Sequence, residues 1–146
     1  MNPSCASSLL HISYWEFFQQ YFTPLLRELD LALKTMEAPI STAHAARVLV
    51  MRPETVEKIM KAEGLEQIDH EGFLRIAMNG KSSLCRLLQR ECLCGSPERY
   101  SPEEIAYIYG LQEEHVKSVC SETGYRTVPA KELPEFLSQV YVYLMY

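Results

Sequence analysis

The sequence predicts a mainly α-helical protein with a small β-hairpin, two helix-turn-helix units in tandem and a long N-terminal helix. Three observations lead to this fold class: a repeat with a shift of 60 residues, helix-capping residues at matching positions of both copies, and a glycine-free apolar segment before them. The chain has 146 residues, of which 47% are hydrophobic and 23% are charged. These proportions are typical of a globular protein and exclude disordered, collagenous and disulfide-scaffold classes.

The internal repeat aligns residues 41–56 with residues 101–116. Each copy begins with a serine, whose hydroxyl can accept a hydrogen bond from a free backbone N–H of the first helical turn. Each copy therefore predicts two short helices, at about 41–63 and 101–123. The identical pairs are Ser41/Ser101, Ala46/Ala106, Glu54/Glu114, Val56/Val116 and Gly64/Gly124.

The turn between the two helices has a recognisable spacing in the second copy. Ala106, Gly110 and Val116 resemble the helix-turn-helix signature, which needs a small residue at the helix crossing, a positive φ at the turn and a branched residue on the second helix. The first copy has Val50 at the turn, where a positive φ strains a β-branched residue. We therefore expect the first copy to use a slightly different turn, or to be aligned one residue out of register.

The segment after the first helix pair is predicted to be a hairpin wing. Residues 65–76 suggest a short strand, a turn at Gly72 and a return strand. A helix then begins near Lys81, with Leu84, Leu87 and Leu88 on one face. The second copy has an equivalent apolar face formed by Leu133, Phe136 and Leu137. In that copy 11 residues are missing before this face, which predicts that the return strand of its wing is lost. The alternative is an all-α bundle whose helical hairpins repeat by chance.

The order helix, turn, helix, hairpin, helix resembles the excisionase and MerR-like winged helix-turn-helix family over residues 40–90 and 100–140. The resemblance implies that the second helix of a unit enters the major groove of double-stranded DNA and that the wing touches phosphates. In the first copy that helix presents cationic and polar residues at a spacing of three, although Glu54 and Glu57 interrupt the face. The expected DNA-binding residues are Arg52, Thr55, Lys58 and Lys61 on the helix, with Arg75 on the hairpin and Lys81 beyond it.

The second copy is expected to bind something other than DNA. Its second helix carries Glu113 and Glu114, whose carboxylates repel phosphate. We expect it to hold a partner subunit or another protein. The sequence thus divides into an N-terminal aromatic helix (residues 1–38), the first winged unit (residues 39–95) and a reduced second unit with an apolar C-terminal helix (residues 96–146).

The two ends of the chain are rich in apolar residues. Residues 9–37 form a wide stripe that suits either a helix packed as core or a dimer interface, and Thr23-Pro24 either splits or kinks that helix. Residues 136–146 are nearly uncharged and are expected to continue the last helix and dock against the N-terminal aromatic residues. The stripe comprises Trp15, Phe18, Phe22, Leu25, Leu29, Ala32 and Met36.

Enzyme signatures are absent from the sequence, and no cofactor is expected. Asn79-Gly80-Lys81-Ser82 ends like a phosphate-binding loop but lacks the upstream glycine, so it is interpreted as a turn followed by a helix cap. Three cysteines form a metal-like cluster whose spacing is not that of a zinc ribbon, and buried free cysteine is common. A structural or sensing metal there is the less favoured reading; the residues are Cys85, Cys92 and Cys94.

These observations predict a DNA-binding transcriptional regulator or DNA-associated accessory protein that uses its first unit and dimerises through the N-terminal helix. The alternative is a protein-interaction adaptor that keeps the fold without binding DNA. The net charge of −5 excludes a strongly basic nucleic-acid coat but not a local basic face. A cytoplasmic location is expected, since no apolar run approaches the ~20 residues that span a bilayer and the first residues are unlike a signal peptide.

Overall fold

The structure, a computed structural model, describes residues 9–145, and the side-chain surroundings of residues 12–142. The described residues form eight α-helices and short antiparallel strands, which confirms the predicted fold class. The elements in chain order are β1 (Leu9–Ser13), α1 (Tyr14–Thr35), α2 (Thr42–Leu49), α3 (Pro53–Glu63), α4 (His70–Asn79), α5 (Ser83–Cys94), β2 (Arg99–Tyr100), α6 (Pro102–Tyr109), α7 (Glu113–Thr123), β3 (Val128–Pro129), a 3-10 turn (Ala130–Glu132), α8 (Leu133–Leu137) and β4 (Tyr141–Met145).

The chain divides into two compact units, and each contains one copy of the repeat. We call Thr23–Gly95 the first-copy unit, and Met1–Phe22 together with Ser96–Tyr146 the second-copy unit. Both units contribute residues of α1, which continues through Pro24 without a break. None of the helices within residues 9–145 has the length and hydropathy needed to cross a lipid bilayer.

The two helix pairs match residue for residue. The first and last residues of α2 and α3 lie 60 positions before those of α6 and α7. Ser41 and Ser101 cap the pairs, each accepting a hydrogen bond from the backbone N–H three residues later. At the predicted crossings all four small or branched side chains are buried, so the repeat is confirmed. They are Ala46, Val56, Ala106 and Val116.

The turns of the two pairs have the same backbone conformation. Val50 has φ 58° and Gly110 has φ 68°, and both lie in the left-handed region. The following residue closes the helix in the same way, because Met51 N donates to Ala46 O and Leu111 N donates to Ala106 O, each at 2.9 Å. The expectation of a different turn or a shifted register is therefore wrong. The hydrogen bonds that end the helix require this conformation, and Val50 adopts it despite the strain.

The predicted wing is also wrong, because most of residues 65–76 belong to helix α4. Asp69 Oδ1 accepts a hydrogen bond from Gly72 N at 2.6 Å, so Asp69 is the N-cap and Gly72 lies in the first helical turn. Phe73, Ile76 and Ala77 form the buried face of this helix. The next helix, α5, begins at Ser83 behind its cap Ser82, as expected.

The strand contacts are repeated as well. Ile40 pairs with Ile68 in an isolated antiparallel bridge, and the residues 60 positions later, Tyr100 and Val128, are also paired. The first-copy residues absent from the second copy are 69–79, which are α4 and its N-cap. The missing segment is thus a helix and not a return strand.

The C-terminal tail is a strand and not the expected continuation of the last helix. Helix α8 ends at Leu137, and β4 pairs antiparallel with β1, with Ile12 opposite Val142. The alternation of valine and tyrosine in residues 140–143 suits an extended chain better than a helix. The tail therefore docks on the N-terminal segment of its own subunit through backbone hydrogen bonds.

The apolar stripe of α1 is largely intrachain core. Phe22, Leu29, Ala32 and Met36 are buried. In the second-copy unit the Phe18 ring also packs edge-on against Tyr109 of α6, with ring centroids 5.9 Å apart.

Candidate nucleic-acid interface

Helix α3 presents one buried and one solvated face. Val56 is fully buried, while Arg52, Lys58 and Lys61 are exposed and Thr55 is half-buried. Arg52 occupies the N-cap position in an extended conformation, and its side chain makes no capping hydrogen bond. The first copy therefore exposes the helix that, in a helix-turn-helix protein, meets DNA.

A cleft of about 450 Å³ lies beside α3 in the first-copy unit. Three of the six predicted DNA-binding residues, Thr55, Lys58 and Lys81, line this cleft. Lys81 reaches it from the turn between α4 and α5. The remaining lining residues are Ile59, Ala62, Glu63 and Asn79. Arg52 and Lys61 are exposed on α3 but do not line the cleft.

The turn that carries Lys81 is anchored to the helix pair. The Ser82 hydroxyl accepts a hydrogen bond from Cys85 N at 3.2 Å and donates one to Leu49 O at 2.7 Å. Asn79-Gly80-Lys81-Ser82 is thus a turn and a helix cap, as interpreted from the sequence. This anchoring fixes the backbone of Lys81 relative to α2.

Arg75 lies on helix α4 and not on a hairpin. Its Nη2 atom is 3.3 Å from Glu63 Oε1 and 3.3 Å from the backbone oxygen of Glu63. The guanidinium is therefore engaged by the last residue of α3. Arg75 thus differs from the other predicted DNA-binding cations. The ion pairs found within residues 12–142 include none of these, which are Arg52, Lys58, Lys61 and Lys81.

The charge around α3 is mixed in sign. Glu54 and Glu57 are exposed, each four residues before a lysine of the same helix. The first-copy unit has ten basic and ten acidic residues and is neutral, whereas the second-copy unit has four basic and nine acidic residues, a net charge of −5. The first-copy unit thus has no net charge, and its predicted DNA-binding cations lie at the cleft and on the adjoining face of α3.

The corresponding surface of the second copy has different chemistry. Lys117 Nζ is 3.5 Å from Glu103 Oε1 and 3.9 Å from Glu113 Oε1, so this exposed lysine is paired with two carboxylates. A hydrogen bond from its own backbone lowers the pKa of Glu103, and Lys117 lowers it further. Gln112, which corresponds to Arg52, lines a groove shared with Tyr141 and Val142 of β4.

Cys85, Cys92 and Cys94, the metal-like cluster of the sequence, have different surroundings in the structure. Cys85 is buried with its Sγ atom 3.7 Å from Leu49 O, while Cys92 is exposed and Cys94 is half-buried. Burial raises the pKa of the Cys85 thiol, against the opposing effect of its hydrogen bonds with Ser82. Within the part of the chain that the structure describes, no group of three or more His, Cys, Asp or Glu side chains is placed to hold a metal ion.

Two lining residues of the cleft, Glu63 and Asn79, were not expected from the sequence. Asn79 ends α4, which the sequence does not distinguish from a hairpin, whereas Glu63 is the last residue of α3 and falls within the predicted first helix pair. Comparisons of the chain with protein-family models, curated proteins and solved structures find no match.

Proposed function

We propose that this chain binds double-stranded DNA through helix α3 of the first-copy unit, acting in the cytoplasm as a transcriptional regulator or a DNA-associated accessory protein. The observation that carries the proposal is the cleft beside the exposed second helix of the first pair. It is lined by Lys58 of that helix and by Lys81 of the turn between α4 and α5. The likeness to the excisionase and MerR-like family is limited to the helix pair α2–α3 and to α5, since α4 stands where that family has its wing.

The position of each cation suggests its role. Residues at the N-terminus of a recognition helix reach furthest into the major groove, and arginine can bond guanine in bidentate fashion. Arg52, at the N-cap of α3, is therefore the proposed base-reading residue, with Thr55 one turn further on. Lys58, Lys61 and Lys81 are proposed to contact phosphates.

The test is selection from a random duplex library with the purified chain, followed by fluorescence anisotropy on the selected duplex at two salt concentrations. Phosphate-driven binding must weaken as salt rises. Arg52→Ala should weaken binding by about 1–3 kcal/mol and relax sequence preference, while Lys61→Ala should weaken all sequences alike and lower the salt slope by about one.

Two lysines serve as matched controls for these variants. Lys34 is exposed in the same unit and pairs with Asp30 at 2.8 Å, and Lys117 occupies the second copy. Lys34→Ala and Lys117→Glu should both leave the affinity near that of wild type. A wild-type chain that binds no duplex at low salt would refute the proposal, and equal losses from Lys117→Glu and Lys58→Ala would show that both copies touch DNA.

The second candidate function is a protein-interaction adaptor. It is favoured by the −5 charge of the second-copy unit and by the three exposed glutamates on α7, Glu113, Glu114 and Glu122. Such a surface suits a basic protein partner better than a nucleic acid. Failure of the wild-type chain to bind any duplex would make this the leading function.

We also propose that the chain forms a homodimer through α1. Beyond its buried stripe, the part of this helix in the first-copy unit leaves Leu31 62% and Leu33 39% exposed. Exposed apolar side chains on one helix suit a two-fold contact. Sedimentation at micromolar concentration should give a dimer for wild type and a monomer for Leu31→Glu, and a monomeric wild type would remove the proposal.

A further inference from the structure

The cleft beside α3 contains a feature that opposes phosphate binding. Among its described lining residues one carries a negative charge, Glu63, which is also the last residue of α3. The carbonyl groups at a helix C-terminus carry partial negative charge. Lys58 and Lys81 therefore share their cleft with a carboxylate and with the negative end of a helix.

Arg75 lies beside both of these negative groups, the Glu63 carboxylate and the C-terminus of α3. One nitrogen of its guanidinium, Nη2, is 3.3 Å from the Glu63 carboxylate and 3.3 Å from the Glu63 carbonyl oxygen. Its neighbours on α4, Phe73 and Ile76, are fully buried, so the helix that carries Arg75 is held by the core. Asn79, which lines the cleft, donates its side-chain N–H to Arg75 O at 2.8 Å.

We propose that Arg75 is a positioning residue that neutralises Glu63 and the C-terminus of α3, and so makes the cleft able to accept a DNA phosphate between Lys58 and Lys81. This inference rests on the proposed function. It assigns Arg75 a role different from the direct phosphate contact that its sequence position suggested. The guanidinium acts on the ligand through Glu63 and does not touch the phosphate.

The formal charges give an order of affinities. The set Lys58, Lys81, Glu63 and Arg75 sums to +2 in wild type, to +1 in Arg75→Gln, to +3 in Glu63→Gln and again to +2 in the double variant. One uncompensated charge at a solvated cleft changes binding roughly fivefold. We expect Glu63→Gln to bind about fivefold more tightly than wild type, Arg75→Gln about fivefold more weakly, and the double variant like wild type.

The experiment measures the affinity of these three variants and wild type for the selected duplex by fluorescence anisotropy, at several salt concentrations. The salt slope reports how many phosphates the protein neutralises. If Arg75 acts through Glu63, the double variant regains the wild-type affinity and keeps the wild-type salt slope. Arg75→Lys, which preserves the charge, should stay within about twofold of wild type.

Three results would overturn the inference. A double variant as weak as Arg75→Gln, with a salt slope lower by about one, would show that Arg75 contacts phosphate directly. An Arg75→Gln chain that binds like wild type would show that the pair with Glu63 does not affect the cleft. Absence of binding by wild type would refute the proposed function and this inference with it. Urea unfolding of each variant separates a loss of fold from a loss of affinity.

Discussion

The turn residue Val50 allows a direct test of the backbone conformation that the two copies share. An L-residue in the left-handed region costs about 1–2 kcal/mol, which glycine avoids, whereas the extra freedom of glycine in the unfolded chain costs about 0.5–1 kcal/mol. Val50 is 42% exposed, so the Cβ that alanine keeps and glycine lacks contributes little burial. We therefore expect Val50→Gly to be more stable than Val50→Ala by about 0.5–1 kcal/mol, measured as urea midpoints at constant m value.

The sign of this difference is diagnostic, because glycine in an ordinary helical position is less stable than alanine by about 1 kcal/mol. Ala43, exposed within α2, is the matched control, and Ala43→Gly should be destabilised by about that amount. In the second copy, Gly110→Ala should lose about 1 kcal/mol, since Gly110 has the same left-handed conformation. A Val50→Gly chain less stable than Val50→Ala would refute the left-handed turn in the first copy.

Three further predictions concern the core. Gly80→Ala should lose about 1–3 kcal/mol of unfolding free energy, because a Cβ there would lie 2.6 Å from Cys85 Sγ and 2.7 Å from Met51 Cε. An unchanged urea midpoint would contradict this packing. Ala106→Leu should lose a similar amount through overpacking at the crossing of α6 and α7, while Tyr107→Leu, at an exposed neighbour, should change little. Burial raises the pKa of the Cys85 and Cys120 thiols in the folded chain, so urea midpoints should stay constant below about pH 8.5 and fall as the pH rises toward the thiol pKa values of the folded chain. The double variant Cys85→Ala/Cys120→Ala should show a smaller fall. An equal fall in the wild-type and double-variant chains would refute this pH dependence.

The helix pairs could be predicted because their ends are encoded locally. Ser101 and Glu104 form a reciprocal capping box, with Ser101 N 2.8 Å from Glu104 Oε1 and Glu104 N 3.1 Å from Ser101 Oγ. Gly64 and Gly124 end the second helices in left-handed conformations. These devices need only neighbouring residues, so the pattern of residue types is sufficient to locate them.

Helix α4 was missed because its local pattern fits two structures. Gly72 follows three polar residues and precedes an apolar run, which suggests a hairpin turn. It also suits the first turn of a helix whose N-cap is close, because a Cβ at Gly72 would lie 3.0 Å from Asp69 Oδ1. The choice is made by packing of Phe73 and Ile76 into the core, which no local pattern reports. The tail was misassigned for a related reason, since β4 exists only through its pairing with β1.

The predicted site residues also divide into those on locally encoded helices and those whose position depends on packing with distant residues. Thr55 and Lys58 belong to a helix whose bounds the sequence indicates, and they lie in the cleft. Lys81 joins them because α4 brings the turn that follows it back beside α3. Arg75 lies on α4 and not on the predicted hairpin, so its pairing with Glu63 depends on a helix that the sequence pattern does not indicate.

The segment of residues 69–79 gives the first copy a surface that the second copy lacks. It provides Arg75, which compensates Glu63, and it ends at Asn79, two residues before Lys81. The second copy lacks this segment, so its chain runs from Val128 directly into the 3-10 turn and α8. The residue of α7 that corresponds to Thr55 is His115, which instead lines a groove with Tyr141 and Val142 of β4. The cleft of the first-copy unit thus depends on one additional helix as much as on the residues of α3.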